Sequence, residues 1–247
     1  MSFLDTLITQ VQQAAIPEKV SVDSGEFVIR HKDSSVSLPP RESSVEAHSI
    51  CTLTGLIQYI KTDPDGAVES VGLHLVVESP IIVKAYSHVE GRHKQRDIYI
   101  ESCCGPVIGN GFKFNQWHSQ DQFIINALSQ FQPSDDLTKV LEIVSKLVSS
   151  SEKNLTDDGL AQSATVKKGI STLATVEIPK RVKLRPYRTF AEITEQPESE
   201  FVLRLRELGE KIEIALFEAD GGAWKLEAIQ AIAAYLKDSL PDTCILA

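Results

Sequence analysis

The sequence predicts an α+β fold in which mainly antiparallel sheets carry helices packed on one face, with a helix at the C-terminus. One basis is the alternation of apolar and polar residues from Phe201 to Leu216, around Gly209, which is typical of a half-buried β-hairpin. The other basis is a set of stretches whose apolar residues recur three and four positions apart, which is typical of amphipathic helices. A chain of 247 residues is long enough to bury a substantial core.

The predicted elements are distributed unevenly along the chain. Region 1–70 is expected to carry helix and short strands, region 71–150 strands followed by two helices, and region 151–247 antiparallel strands before the C-terminal helix. The three regions can form one continuous domain. The predicted helices span 1–15, 50–61, 119–131, 134–148 and 223–240. The predicted strands span 20–22, 26–30, 35–38, 71–78, 81–87, 97–101, 161–167, 172–178, 183–190 and the two arms of the hairpin.

Local signals mark several boundaries of these elements. Ser119 opens a capping box for one helix, and Ser134 precedes two acidic residues that suit the first turn of the next. Asp220 is the expected N-cap of the last helix, whose buried stripe is expected to include Leu226. Residues 149–159 are rich in Ser and Asp, and we expect them to form a linker or an exposed loop.

The composition favours a cytoplasmic protein without a membrane span. Hydrophobic residues make up 42% of the chain, but no apolar run approaches the roughly 20 residues that a bilayer requires. The N-terminus lacks the pattern of a signal peptide. The four cysteines include no Cys-x-x-Cys pair, so we expect neither a disulfide framework nor a zinc site, and no cofactor.

No catalytic motif stands out, and an enzyme is the less favoured interpretation. The sequence contains neither Gly-x-Ser-x-Gly nor His-Glu-x-x-His. Adjacent Cys103 and Cys104 are expected to end a strand, with one side chain buried. A metal-dependent nuclease remains an alternative, because such enzymes place acids and a lysine near strand ends. Its candidates are Glu213, Glu218, Asp220 and Lys225, each of which also has a simple structural explanation.

Basic residues give the strongest functional signal. The net charge is −9, yet residues 165–188 hold seven basic residues against Glu177 alone, so that this stretch carries +6 and the rest −15. Alternation along a strand would place its cations on one face, and an adjacent tyrosine could stack on a base. A second basic element lies in the loop after residue 90. The candidate nucleic-acid-binding residues are Lys180, Arg181, Lys183, Arg185, Tyr187, Arg188, Arg92, Lys94 and Arg96.

Two structural explanations compete with polyanion binding at this basic stretch. Charged side chains on an edge strand prevent sheets from pairing with one another. The cations could also pair with acids that follow closely in the chain, namely Glu192, Glu195, Glu198 and Glu200.

Three stretches in the C-terminal third resemble the YfdQ-like proteins of bacteriophages and prophages. They are 184–193 (LRPYRTFAEI), 196–199 (QPES) and 215–226 (ALFEADGGAWKL). Shorter similarities upstream extend the resemblance over roughly residues 70–240. The resemblance implies a phage origin and a place in the bacterial host cytoplasm, and it implies no catalytic residue. It gives Asp220 to Gly222 a strand-to-helix turn and makes Trp224 the anchor of the last helix.

The leading expectation is therefore a non-catalytic phage or prophage accessory protein that acts by binding. Its expected ligand is single-stranded nucleic acid or another polyanion, bound through the basic strand, and self-association is expected. A role in protein–protein contact, as a self-assembling subunit or an inhibitor of a host factor, is the first alternative, and the nuclease is the second.

Overall fold

The computed structural model describes residues 18–22, 25–29, 45–89, 95–105, 111–148, 152–157, 162–168, 172–209 and 211–247. The chain divides into two compact units, Met1–Val45 and Glu46–Ala247. In the first unit, strands β1 (Glu18–Val22) and β2 (Gly25–Ile29) form an antiparallel hairpin in which Val22 pairs with Gly25. The helix predicted over 1–15 and the strand predicted over 35–38 lie outside the described residues.

The second unit alternates strands and helices. Its strands are β3 (His48–Ile50), β4 (Leu73–Ser79), β5 (Ile82–Ser87), β6 (Ile98–Cys103), β7 (His118–Ser119), β8 (Glu152–Asp157), β9 (Gln162–Lys168), β10 (Thr172–Ile178), β11 (Arg181–Leu184), β12 (Ser199–Leu208), β13 (Lys211–Glu218) and β14 (Cys244–Leu246). Its described helices are α1 (Leu53–Thr62), α2 (Ala67–Ser70), α3 (Gln120–Gln130), α4 (Asp135–Val148) and α5 (Ala223–Ser239). The α+β fold with mainly antiparallel sheets and a C-terminal helix is confirmed.

A five-stranded sheet in the order β14-β4-β5-β6-β3 organises one hydrophobic core. Its central pairs are antiparallel, and each edge strand joins in parallel. One face buries Leu75, Val83 and Ile100 against the apolar sides of α1 and α5. Strand β14 was not predicted, because three residues after a helix carry too short a pattern to reveal a strand.

A four-stranded sheet in the order β11-β12-β13-β7 organises the other core. The hairpin of β12 and β13 is confirmed, with Leu203 opposite Leu216 and Leu205 opposite Ile214. Gly209 takes a φ of 61° at the turn, a backbone conformation that favours glycine. The inward row of β12 packs on the buried sides of α3 and α4, which supply Phe123 and Val140 among others.

An antiparallel three-stranded sheet, β10-β9-β8, adjoins β12. The side chain of Gln162 fixes this junction: its Nε2 donates to the Leu205 carbonyl at 2.9 Å, and its Oε1 accepts from the Leu205 amide at 3.0 Å. Strand β8 overturns the linker prediction for the described part of 149–159. Polar residues form that strand because its backbone bonds continuously to β9, from Glu152 opposite Lys167 to Asp157 opposite Gln162.

Two predictions about the last helix were also wrong. Gly222, at a φ of 84°, occupies the N-cap of α5, and Asp220 instead accepts the Gly222 amide proton at 2.9 Å within the preceding turn. The buried stripe of α5 contains Ala228, Ile232 and Leu236, whereas Leu226 is 60% exposed. Among the described residues, no helix combines the length and the apolar character needed to cross a membrane.

Candidate nucleic-acid interface

The predicted alternation of the basic strand is confirmed over β11. Val182 and Leu184 are buried, while Arg181 and Lys183 are exposed on the outward face of the four-stranded sheet. In register, Arg181 lies opposite Val202 and Lys183 opposite Glu200. The free edge of β11 is partly capped by α4, because the Lys183 backbone N–H donates to Asp136 Oδ2 at 3.0 Å.

The strand ends at Leu184 rather than at Phe190, so the prediction of a strand over 183–190 was wrong for 185–190. Beyond that point the backbone bonds to the connection between α3 and α4 instead of to a sheet. The Gln132 amide donates to the Arg185 carbonyl, and the Tyr187 amide donates to the Gln130 carbonyl, each at 2.9 Å. Pro186 lies between these two bonds and has no N–H to give to a ladder.

Acids that follow closely in the chain contact the exposed cations, as one of the structural explanations expected. Arg181 Nη1 lies 2.6 Å from Glu200 Oε2. Lys183 Nζ and Arg185 Nε share Glu198, at 3.4 and 3.7 Å from its two oxygens. All three pairs are at the surface, so each is expected to contribute only about 0–1 kcal/mol to stability. A phosphate could therefore replace a carboxylate here at small cost to the fold.

Arg188 differs from the other predicted cations because it is buried. Its guanidinium lies over the Trp224 ring at 3.8 Å, and its Nη1 lies 2.7 Å from Glu218 Oε1. Its Nη2 donates to Ser199 Oγ, whose own proton goes to Asp220. Burial lowers the pKa of Arg188 to about 10, although the neighbouring carboxylates act in the opposite direction. Arg188 thus remains charged at neutral pH and ties together the three stretches that carry the family resemblance.

Of the five remaining residues predicted at the interface, three lie in the described part of the chain. Lys180 is exposed at the start of β11, and Tyr187 is 50% exposed beyond its end. Arg96 is exposed just before β6. Arg92 and Lys94 lie outside the described residues.

The structure adds residues from β12 and β13 to the same outward face. Because Leu203 and Leu205 point into the core, Arg204 and Arg206 face outward beside the row that holds Arg181. Arg206 contacts Glu213 through both Nε and Nη2, at 2.8 and 2.6 Å.

Two half-buried aromatic rings accompany these arginines. The guanidinium carbon of Arg206 lies 4.4 Å from the centre of the Trp117 ring. Trp117 in turn meets Phe217 edge-on, with 5.9 Å between ring centres, and Phe217 pairs with Val202 across the hairpin. Sheet faces that combine cations with aromatic rings suit single-stranded nucleic acid, since phosphates and bases can be held together.

Sequence reasoning missed Arg204, Arg206, Trp117 and Phe217 as members of this surface. A signal was present in the hairpin, whose alternation already placed Arg204 and Arg206 opposite the buried leucines. No comparable pattern could have placed Trp117, which reaches the sheet only because β7 pairs with the far edge of β13.

The catalytic alternatives gain little from the arrangement of their residues. Burial raises the pKa of the Cys104 thiol to about 11, which disfavours the thiolate form. His118 is buried, with its Nε2 2.8 Å from the Lys113 carbonyl. Among the acids proposed for a nuclease, Glu213 forms an ion pair with Arg206. Asp220 accepts hydrogen bonds from the Ser199 hydroxyl and the Gly222 amide. Over the part of the chain that the structure describes, no three His, Cys, Asp or Glu residues are grouped as metal ligands.

Comparison with family models, with curated proteins and with solved structures finds no match in any of the three.

Proposed function

We propose that this chain is a non-catalytic phage or prophage accessory protein of the bacterial host cytoplasm, and that it binds single-stranded nucleic acid on the outward face of the four-stranded sheet. The phage assignment rests on the resemblance to YfdQ-like proteins. The binding surface, called the basic face below, consists of Lys180, Arg181, Lys183, Arg185, Arg204, Arg206, Trp117 and Phe217.

The observation that carries the proposal is that cations from two neighbouring strands share one outward sheet face with two aromatic rings. Four of these cations contact Glu198, Glu200 or Glu213 at the surface, and contacts of this kind are weak enough for a phosphate to replace them. The aromatic rings lie among the cations, so a bound strand could stack a base while its phosphates meet arginine. The acidic remainder of the chain repels polyanions and would confine binding to this face.

Titration of labelled single-stranded DNA and RNA across a salt series tests the proposal. A strand whose phosphates meet three of these cations would give a slope of log K against log salt of about −2, since each phosphate contact on a single strand contributes about −0.7. The double change Arg204→Gln with Arg206→Gln is expected to weaken binding at low salt and to reduce that slope by about 1.4. Lys183→Glu with Arg185→Glu is expected to abolish binding without unfolding the protein.

Lys61→Gln with Lys237→Gln is the matched control. It removes the same charge from exposed positions on α1 and α5, the helices that pack on the five-stranded sheet. This control is expected to keep the full salt slope. Absence of binding at low salt, or an equal loss in this control, would contradict the proposal.

A second candidate is self-association through α3, as a subunit of an assembly. Ile125 and Leu128 lie one turn apart on this helix and are 61% and 65% exposed, an uncommon exposure for two large apolar side chains on one face. The size of the protein in solution, recorded on the same samples, distinguishes an oligomer from a monomer. A monomer at high concentration would exclude this candidate and leave the first untouched.

A further inference from the structure

A cavity of about 510 Å³ opens where the two hydrophobic cores of the Glu46–Ala247 unit meet. The turn between β4 and β5 contributes Ile81, which packs on the core of the five-stranded sheet. The opposite wall contains Phe112, which belongs to the core of the four-stranded sheet. Small-molecule sites favour such junctions and have volumes of roughly 300–1,000 Å³.

Four aromatic side chains line this cavity. Phe112 and Phe114 lie side by side, with 5.1 Å between ring centres. Trp224 at the start of α5 and the half-exposed Tyr187 complete the aromatic lining. Arg188 packs on Trp224 at 3.8 Å and, together with its hydrogen bonds, holds that ring in place. Walls of this kind suit a flat aromatic ring, which gains both apolar burial and ring–ring contact.

The charged groups of the cavity leave a positive charge at Lys225. Arg188 and Glu218 both line the space, but they pair with each other at 2.7 Å. Lys225 is exposed, and among the described residues no carboxylate lies within ion-pairing distance of its Nζ. An anionic group on a ligand would therefore meet an ammonium that no described acid neutralises.

We propose that this cavity binds a small molecule with a flat aromatic body and a single anionic group, the body lying among Phe112, Phe114 and Trp224 and the anion meeting Lys225. This chemistry is common to aromatic carboxylates and to the base and phosphate of a nucleotide. The site is separate from the basic face, and neither proposal depends on the other.

Isothermal titration calorimetry with the full chain tests the site. The probes are 2-naphthoate, its neutral analogue 2-naphthalenemethanol, and thymidine 5′-monophosphate. We expect 2-naphthoate to bind at least tenfold more tightly than the neutral analogue. Lys225→Gln is expected to weaken 2-naphthoate about tenfold and to change the affinity for the neutral analogue by less than twofold. Lys237→Gln, on the last turn of the same helix, is the matched control and should leave both affinities unchanged.

The nucleotide arm identifies the source of the ligand. Thymidine 5′-monophosphate binding more tightly than 2-naphthoate, and losing affinity in Lys225→Gln, would favour a nucleotide, and the reverse order would favour an aromatic acid. Failure of both anions to bind at millimolar concentration, or equal binding of the neutral analogue, would overturn the proposal. Arg204→Gln with Arg206→Gln should leave 2-naphthoate binding intact, so failure at the cavity and failure at the basic face are distinguishable.

Discussion

On the outward side of the five-stranded sheet, Lys84 lies between two carboxylates, with its Nζ 2.9 Å from Glu78 Oε2 and 3.3 Å from Glu101 Oε2. On the outward side of the four-stranded sheet, each contacting carboxylate instead meets one or two cations: Glu198 meets Lys183 and Arg185, Glu200 meets Arg181, and Glu213 meets Arg206. The two sheets belong to the same compact unit, and each packs its inward face on helices. Their ion pairs differ in balance, with two acids to one cation on the first face and four cations to three acids in the contacts of the second.

The difference separates a charge cluster that supports the fold from the charged surface that we propose accepts a ligand. Around Lys84 the groups satisfy one another: the Tyr86 hydroxyl donates to Glu78, and its hydrogen bond, with Lys84, lowers the pKa of that carboxyl despite partial burial. Lys84 is 19% exposed, whereas Arg206 is 46% exposed. A net charge of −9 for the whole chain hides this contrast, because it averages over both faces.

The largest effect that this comparison predicts concerns stability. Lys84→Met leaves two neighbouring carboxylates without their shared cation, and we expect it to lower the free energy of unfolding by about 2–3 kcal/mol. Arg206→Met removes an exposed cation from a single acid and is expected to cost about 1 kcal/mol or less. Urea unfolding followed by circular dichroism measures both.

A second change at the same cluster checks the cause. Glu78→Gln added to Lys84→Met removes one of the two carboxylates and should recover a large part of the loss. Equal losses for the Lys84 and Arg206 single variants would erase the distinction between the two faces.

A smaller effect concerns nucleic-acid binding. Glu198 contacts both Lys183 and Arg185, so Glu198→Gln removes the negative charge that these two cations share. We expect affinity for single-stranded DNA at low salt to rise about threefold, which is below 1 kcal/mol.

Glu142→Gln makes the same charge change on α4, whose buried side packs on the inward face of the sheet, and serves as the control. The same gain in both variants would mean that net charge, rather than this face, governs binding.

Local patterns were enough to predict most of the fold. The hairpin of β12 and β13 alternates cleanly, and Ser119 is the N-cap of α3, with its Oγ accepting the Gln122 amide proton. The reciprocal bond of the predicted capping box is not formed, because the Gln122 side chain donates to Asn126 Oδ1. The same alternation predicted that Arg181 and Lys183 share the outward face of β11. These features depend on residues that are neighbours in sequence, so the spacing of apolar and polar residues is enough to predict them.

The remaining features depend on partners far away in the chain. The local pattern of residues 185–190 predicts a strand, but these residues form a loop. The buried side-chain amide of Gln196 holds that loop, because it accepts a hydrogen bond from the Arg188 backbone N–H at 3.1 Å and donates to the Ile193 carbonyl at 2.8 Å. Arg188 and Arg185 look alike in the sequence, since both lie in the same basic stretch. Arg188 is nevertheless buried, because it packs on Trp224, which lies far away in the chain. The cavity next to it has no counterpart in any local pattern.

The smallest predicted effect is the dependence of stability on pH at the charge cluster around Lys84. The Glu78 pKa is lowered in the folded state, because hydrogen bonds from Tyr86 and Lys84 outweigh burial. The stability that Glu78 contributes is therefore present above its unfolded pKa of about 4.3 and is lost as the pH falls through the folded value. Glu78→Gln should lose less unfolding free energy than the parent chain between pH 6 and pH 3.

Asp136 makes the corresponding contribution at the edge of β11, where the Lys183 amide and Lys139 lower its pKa. Asp136→Asn should flatten the same acid profile, whereas Glu142→Gln controls for the altered net charge. Because Asp136 holds the basic strand through the Lys183 backbone N–H, Asp136→Asn should alter acid stability and leave the salt slope of DNA binding unchanged. A changed salt slope in Asp136→Asn would show that the edge of β11, rather than its outward face, meets the ligand.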